Sequence, residues 1–349
     1  MMDATQNKPS AAVVKPSIDR RGRELLRATL PFVKENRARS WYSLLSTVGL
    51  MLSAQVAAGA LPWWPLQAIV VPFAALLMVR AFILFHDYMH GAILQGSLMA
   101  RGILYFVGAM VMVPPRSWRY SHNFHHAHVG QLEASSVGSF PMLTVAQWQK
   151  ATLLQRVGYR MVRSPLVIMM ASATVFLWSV CLGSFIREPR RYWDSLLVVL
   201  FQAALMTSVG MLFGWQVLCC SVLLPEALAA LVGAYLFYAQ HNTPGLKMID
   251  DAVWTPDVGA LQSSSYMKLP AIMHWFTGNI GYHHVHHLNP AVPFYRLPEA
   301  MAAVFELQAP VVTTLGFRDI LASLRLKLWD EGSQQMVSFR QAARLPLPN

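Results

Sequence analysis

The residues best suited to chemistry in this chain are its histidines, of which there are 12. His86 and His90 lie four apart in the run HDYMH. His122, His125 and His126 form HNFHH, and His283, His286 and His287 belong to HHVHH. On a helix, offsets of zero, three and four place side chains on one face within a turn. Each cluster can therefore aim its imidazoles at a single point, which is what a metal ion requires. His241, in YAQHN, closes another apolar run and brings the candidate ligands to nine. A zinc site takes about four ligands, so this many nitrogens match two ions better than one. Imidazole suits iron, zinc, copper and nickel alike, and residue type leaves the metal open. The Glu-x-x-His pairs of soluble di-iron bundles are missing from the sequence, so the expected site is nearly all histidine.

Around these ligands, Asp87 can orient His86 by accepting its other ring N–H, or it can cap or solvate a helix end. Asn123 and Asn279 are further candidates for such support, or are turn and cap residues. His128 and His284 point off the shared face of their clusters and read as spare or supporting. His274 reads as a satisfied core histidine. No catalytic group beyond the metal ligands is expected.

The elements that must position these clusters are written in the hydropathy. Hydrophobic residues make up 55% of the chain and charged residues only 13%, against about a quarter charged in soluble domains. Residues 41–60 carry no charge and are long enough to cross a bilayer. The uncharged turn Leu61-Pro62-Trp63-Trp64-Pro65 follows, and a second run, 66–85, returns and ends at Arg80 and His86. A second hairpin is expected over 195–240, turning near Gly214-Trp215-Gln216, with Glu226 inside its returning span. Two more apolar stretches, 92–113 and 166–185, have basic residues at both ends and read as interfacial or re-entrant. Phe317, Ile320, Leu321, Leu324 and Leu328, with Arg318, Arg325 and Lys327 between them, predict an amphipathic helix lying on the membrane or on the protein. The expected fold class is thus an all-α integral membrane protein, with about four crossings in two hairpins, interfacial helices and a cytoplasmic histidine-rich cap. Its expected parts are 1–40, a polar basic tail and short helix; 41–300, the membrane domain with the three clusters; and 301–349, an amphipathic C-terminal segment.

The formal charge of +11 would raise the question of nucleic acid in a soluble protein. Here the basic residues lie between apolar spans, where the positive-inside rule puts them, so membrane lipid and no nucleic acid is the expected partner. The clusters would then meet on the cytoplasmic side, and the inner (plasma) membrane of a bacterium is the expected location. Cys181, Cys219 and Cys220 lie in apolar runs without CxxC spacing, which disfavours disulfides and thiolate sites. The first 40 or so residues are polar and lack the hydrophobic core of a cleaved signal peptide. Residues 1–18 read as a disordered tail.

The order HDxxH, HxxHH and a late HxxHH between hydrophobic hairpins resembles the membrane fatty acid desaturases, over roughly residues 40–300. FYAQH at 237–241 and WFTGNIGYHHVHHLNPAVPFYRLPEA at 275–300 are similar to the acyl-lipid omega-6 (delta-12) branch. Two places depart from that branch: Tyr88 and Met89 in the first box, and Asn-Thr-Pro-Gly after His241. The resemblance implies two iron ions held by the box histidines, with His241 matching an additional ligand on the last span. It implies O2 as co-substrate and removal of two hydrogens from an acyl chain carried on a lipid or a thioester. No cytochrome b5-like haem segment, cysteine cluster or G-x-G-x-x-G loop after a strand is visible. Electrons are therefore expected from a separate donor, a ferredoxin or a cytochrome b5-like protein.

Two other readings share some of these features. A di-iron hydroxylase or ketolase acting on a lipid would use the same boxes. A histidine-rich metal transporter would place its ligands near the bilayer midplane, whereas these clusters sit at the ends of spans.

Overall fold

The computed structural model describes residues 20–132 and 137–345; the tail expected over 1–18 lies outside the described residues. A short helix, α1 (Gly22–Thr29), precedes α2 (Arg37–Ala60), which starts where the Asn36 side chain accepts the Arg39 N–H. The chain turns through Pro62 and returns in α3 (Trp64–Met89), with Pro65 in its first turn. α2 and α3 are long and apolar enough to cross a membrane, and so is the stretch Trp193–His241, of 49 residues. A straight helix of that length would reach about 73 Å, more than twice a hydrocarbon core of about 30 Å. It is broken at Gly214, whose φ of 85° and ψ of 171° suit glycine and interrupt the helix.

That break makes a hairpin of the expected kind. Near its start, the Asp194 carboxylate accepts the backbone N–H of Arg116 (2.8 Å), beside the segment bearing the second histidine cluster. At the opposite end, Val217 and Ser221 lie against Gly59, next to the last residue of α2. The chain then comes back to His241. With later elements labelled α4 (Leu98–Met110), α5 (Pro115–Ala127), α6 (Ser172–Arg187), α7 (Trp193–Leu218) and α8 (Leu224–His241), the spans are α2, α3, the first part of α7, and the run that ends in α8. Met211, Leu212, Phe213 and Trp215 at the turn are all more than 60% exposed. Such a continuous apolar surface belongs in lipid.

α4 and α6 are too short to cross alone, at about 20 and 24 Å. α4 meets α5 at 85°. The bent pair has the length and hydropathy of a broken span or of a re-entrant loop, the latter being what was expected of 92–113. α6 is π-helical from Ser172 to Gly183.

α2, α3 and α8 pack through one apolar core that includes Leu44, Met51, Leu77, Met78, Leu84, Phe85 and Leu236, while Val198 of α7 packs with Met112 and Cys181. Arg80 does not end the second run, as its charge suggests. It lies within α3, buried, with Nε donating to Thr47 Oγ1 (3.0 Å), a second nitrogen bonding the Trp275 carbonyl, and its guanidinium 4.1 Å from the Trp275 ring centre. An aromatic face and two acceptors replace the water that a buried cation needs. Arg80→Met should remove both hydrogen bonds and the guanidinium stacked on Trp275, and destabilise the fold by roughly 2–4 kcal/mol. Thermal unfolding in detergent would check this, and an unchanged midpoint would show that the contacts contribute nothing.

On the histidine-bearing end, α1 packs over the segment that follows the third histidine cluster. Leu25 of α1 packs with Val285, Leu288, Val292 and Leu297, and the Arg20 guanidinium pairs with the Glu306 carboxylate through Nε and a terminal nitrogen (both 2.9 Å). α9 (His283–Leu288) is a single short helix, and α10 (Phe317–Arg325) packs against α8. Five short strands complete this end: β1 (Leu143–Thr144), β2 (Tyr266–Met267), β3 (Val312–Thr313), β4 (Leu328–Asp330) and β5 (Gln335–Val337). β4 pairs in parallel with β1 and antiparallel with β5, and β2 pairs in parallel with β3.

These strands correct one detail of the C-terminal expectation. The amphipathic helix stops at Arg325, and Leu328 belongs to β4, opposite Leu143 and Val337. Lys327 is no surface cation either. Its Nζ donates to the Arg163 carbonyl (2.6 Å), and burial, then nearby Arg163, holds the ammonium down to about 8.

Candidate metal centre

Each histidine cluster sits where its element ends or turns. His86 lies in the last turn of α3 and His90 caps it, just before Gly91. His122, His125 and His126 occupy the second half of α5, which the sharp α4–α5 bend carries under the spans. His241 is the last residue of α8, and α9 consists almost wholly of its cluster.

These elements converge. His86, His90, His122, His126 and His286 each offer a ring nitrogen, all within 4.8 Å of one another, and so do His125, His241, His283 and His287. All nine predicted ligand candidates thus fall into two adjoining groups. The split is not by sequence cluster. His125 leaves its neighbours for the second group, and His286 leaves His283 and His287 for the first.

Hydrogen bonding among imidazoles does not account for the second group. His241 Nδ1 lies 3.0 Å from the Ser263 carbonyl, so the proton belongs on Nδ1 and the Nε2 lone pair faces inward. Three other Nε2 atoms approach it, from His125 (3.0 Å), His283 (2.9 Å) and His287 (3.2 Å). One lone pair cannot accept three N–H bonds, whereas a cation among four lone pairs satisfies them all. Two nitrogens held about 2.1 Å from one ion lie roughly 3.0–3.4 Å apart, so the spacing fits a shared ion. In the first group His126 Nε2 is 3.1 Å from both His122 Nε2 and His286 Nε2. Burial first, then neighbouring imidazoles, holds His283, His286 and His287 well below the usual imidazole range. They are therefore neutral, the form that binds metal.

The supporting residues divide differently from expectation. Asp87 Oδ1 is 3.1 Å from His86 Nδ1, and Oδ2 accepts the Phe294 N–H (2.6 Å). Asn279 touches no ring; its Nδ2 donates to the Phe294 carbonyl (3.1 Å). Asn123 is exposed on α5 and belongs to neither group. His128 stacks on Phe124 and lies 2.8 Å from its carbonyl, His284 Nε2 lies 3.0 Å from the Leu307 carbonyl, and His274 stacks against Tyr266. All three are spent outside the groups.

Three contributors lie outside the candidate residues read from the sequence. Ser139 Oγ lies 2.7 Å from His125 Nδ1. Its loop is held close by Gly138, at φ +72°, where a Cβ would come within 2.2 Å of the Ser121 carbonyl oxygen. Trp118 stacks on His122, with ring centres 4.3 Å apart. Asn242, in the Asn-Thr-Pro-Gly stretch, ties the end of α8 to α10: it donates to the Ser323 carbonyl (2.7 Å) and accepts from Arg163 (2.6 Å). Ser139→Ala should free the His125 ring and cost roughly tenfold in metal affinity or activity; titration of the metal-depleted protein reads the affinity directly.

A cavity of about 910 Å³ adjoins the groups, bordered by His86, His122 and His283 and walled by Val79, Phe82 and Phe176.

Residues 61–317 match the fatty acid desaturase family. This chain belongs to that family. The desaturase is similar to the fatty acid desaturase of Bacillus subtilis (strain 168), at 33% identity over 78% of each chain. It is also similar to the sn-1 oleoyl-lipid 12-desaturase of Synechocystis, at 22% identity over 85% of this chain and 84% of that one. A third relative is the sn-1 acyl-lipid omega-3 desaturase (ferredoxin) of Nostoc, at 24% identity over 64% and 63%. Family and histidine groups together make the desaturase an oxidoreductase with a centre able to hold metal.

Proposed function

We propose that the nine histidines hold two iron ions, and that the enzyme uses O2 to introduce a double bond into an acyl chain of a membrane lipid. The observation that carries this reading is the pair of all-imidazole groups beside one long apolar cavity. Iron with O2 supplies the oxidising power to break an unactivated C–H bond, which no side chain possesses. In the overall balance, two hydrogens leave adjacent methylenes, and O2 with two further electrons and two protons becomes two waters.

The protein's own part is binding, orientation and exclusion. Asp87, Ser139 and the Ser263 carbonyl fix imidazole rings by their outward nitrogens. Phe82, Trp118 and Phe176 make the cavity wall apolar, so methylenes replace water next to the histidines. The machinery belongs to residues 41–300, with residues 20–40 and 301–345 packed at its histidine-bearing end. We place that end on the cytoplasmic face of a bacterial inner membrane, where the basic segments flank the spans. Electrons come from a separate ferredoxin or cytochrome b5-like protein; one relative carries ferredoxin in its name. The delta-12 position is the first to examine, because a relative is named a 12-desaturase.

The test is acyl-chain analysis by gas chromatography–mass spectrometry in a bacterial host expressing the chain with a ferredoxin, alongside iron determination on purified protein. A new unsaturated chain and two irons per protein are expected, with activity lost on chelation and not restored by zinc. A hydroxylated product would move the enzyme to the hydroxylase reading, and iron-free active protein would remove the di-iron reading.

A further inference from the structure

Glu226 is a buried ionisable residue of the spans that this chemistry leaves unused. It lies in α8, 5% exposed, and its Oε1 has no hydrogen-bond partner among the described residues. It also lines the large cavity. The cavity-facing residues of α8 are Glu226, Ala229, Ala230, Gly233, Ala234, Phe237 and Gln240, at offsets of three, four, seven, eight, eleven and fourteen from Glu226, as one face of a helix must be. The four between Glu226 and Phe237 are alanine or glycine, which leaves room for a ligand along the helix. Fifteen residues at the helical rise separate Glu226 from His241 by about 22 Å, so on α8 it is the lining residue farthest from the metal groups.

We infer that Glu226 is the polar end-stop of the acyl tunnel, a specificity-determining residue that limits how many methylenes extend beyond the reacting carbons. This rests on the desaturase reading above. A buried carboxyl group without a protein partner must find water in the cavity. A chain that stops short leaves room for that water. A longer chain displaces it and abandons a buried oxygen, a loss that falls only on chains long enough to reach the residue.

The experiment supplies wild type, Glu226→Leu, Glu226→Met and Glu226→Gln, expressed in membranes with a ferredoxin as electron donor, with saturated and monounsaturated acyl chains of graded length. It reads the ratio of long to short chains desaturated, a ratio that general damage to folding would not move. The leucine and methionine variants should raise it roughly tenfold, and glutamine, which keeps a polar end wall, should leave it near wild type. An unchanged ratio in whichever apolar variant inserts and turns over would overturn the end-stop. A glutamine variant that shifts as far as leucine would overturn it too. Wild type placing no new double bond in any of these chains, with the ferredoxin reduced, would instead overturn the desaturase reading, and the end-stop with it.

Discussion

His241→Ala should abolish desaturation, by more than roughly a hundredfold, while the protein still inserts and purifies. Outer partners of metal-bound histidines alone are worth 10–100-fold when removed, and a ligand exceeds them. His241 is the critical choice because the other three nitrogens of its group all approach its Nε2, at 2.9–3.2 Å. Without it, His125, His283 and His287 retain their positions but lose their common neighbour. Iron content should fall from two per chain towards one, since the five-histidine group keeps every member. Full iron content with full activity would remove His241 from the ligand set.

Asp87→Asn should cost 10–100-fold in activity or metal affinity, without breaking a ligand. The carboxylate serves two donors at once, the Phe294 N–H and the ring nitrogen of His86. An amide offers one acceptor oxygen, so its NH2 must face one of those donors, either freeing the ring or pushing Phe294 away. Asn279→Ala is the control, because the Asn279 side chain holds the same Phe294 backbone from its carbonyl side and bonds no histidine of either group among the described residues. Its loss should be only a few-fold. Equal losses in the two variants would show that Asp87 acts by placing Phe294, not by orienting His86.

The hairpins and all nine gathered histidines were legible because both signals are local. Long uncharged runs declare spans, and offsets of three and four declare a shared face. What sequence spacing could not reveal was the partition into groups. His125 and His126 are adjacent, yet one helical step of about 100° sends them to different groups, and only the placement of α8 and α9 decides which. Ser139 was invisible for a related reason: it approaches His125 through a loop whose path depends on Gly138. Lys327 and Leu328 misled because their spacing continues a helical stripe that the chain abandons at Arg325, where pairing with β1 and β5 takes over.

The short helix α9 gives His286 to one group and His283 with His287 to the other, and this orders the events of biosynthesis. As the chain grows, the first group has four members once His126 is made, and the second has two once His241 is made. Neither is complete until one final helical turn is added, after all four spans have been synthesised. That turn is the clasp of the centre. If the groups hold metal as proposed, full loading is therefore a late event, reserved for a chain whose membrane hairpins already exist; a polypeptide arrested before His283 leaves the ribosome with four of five members of one group and two of four of the other.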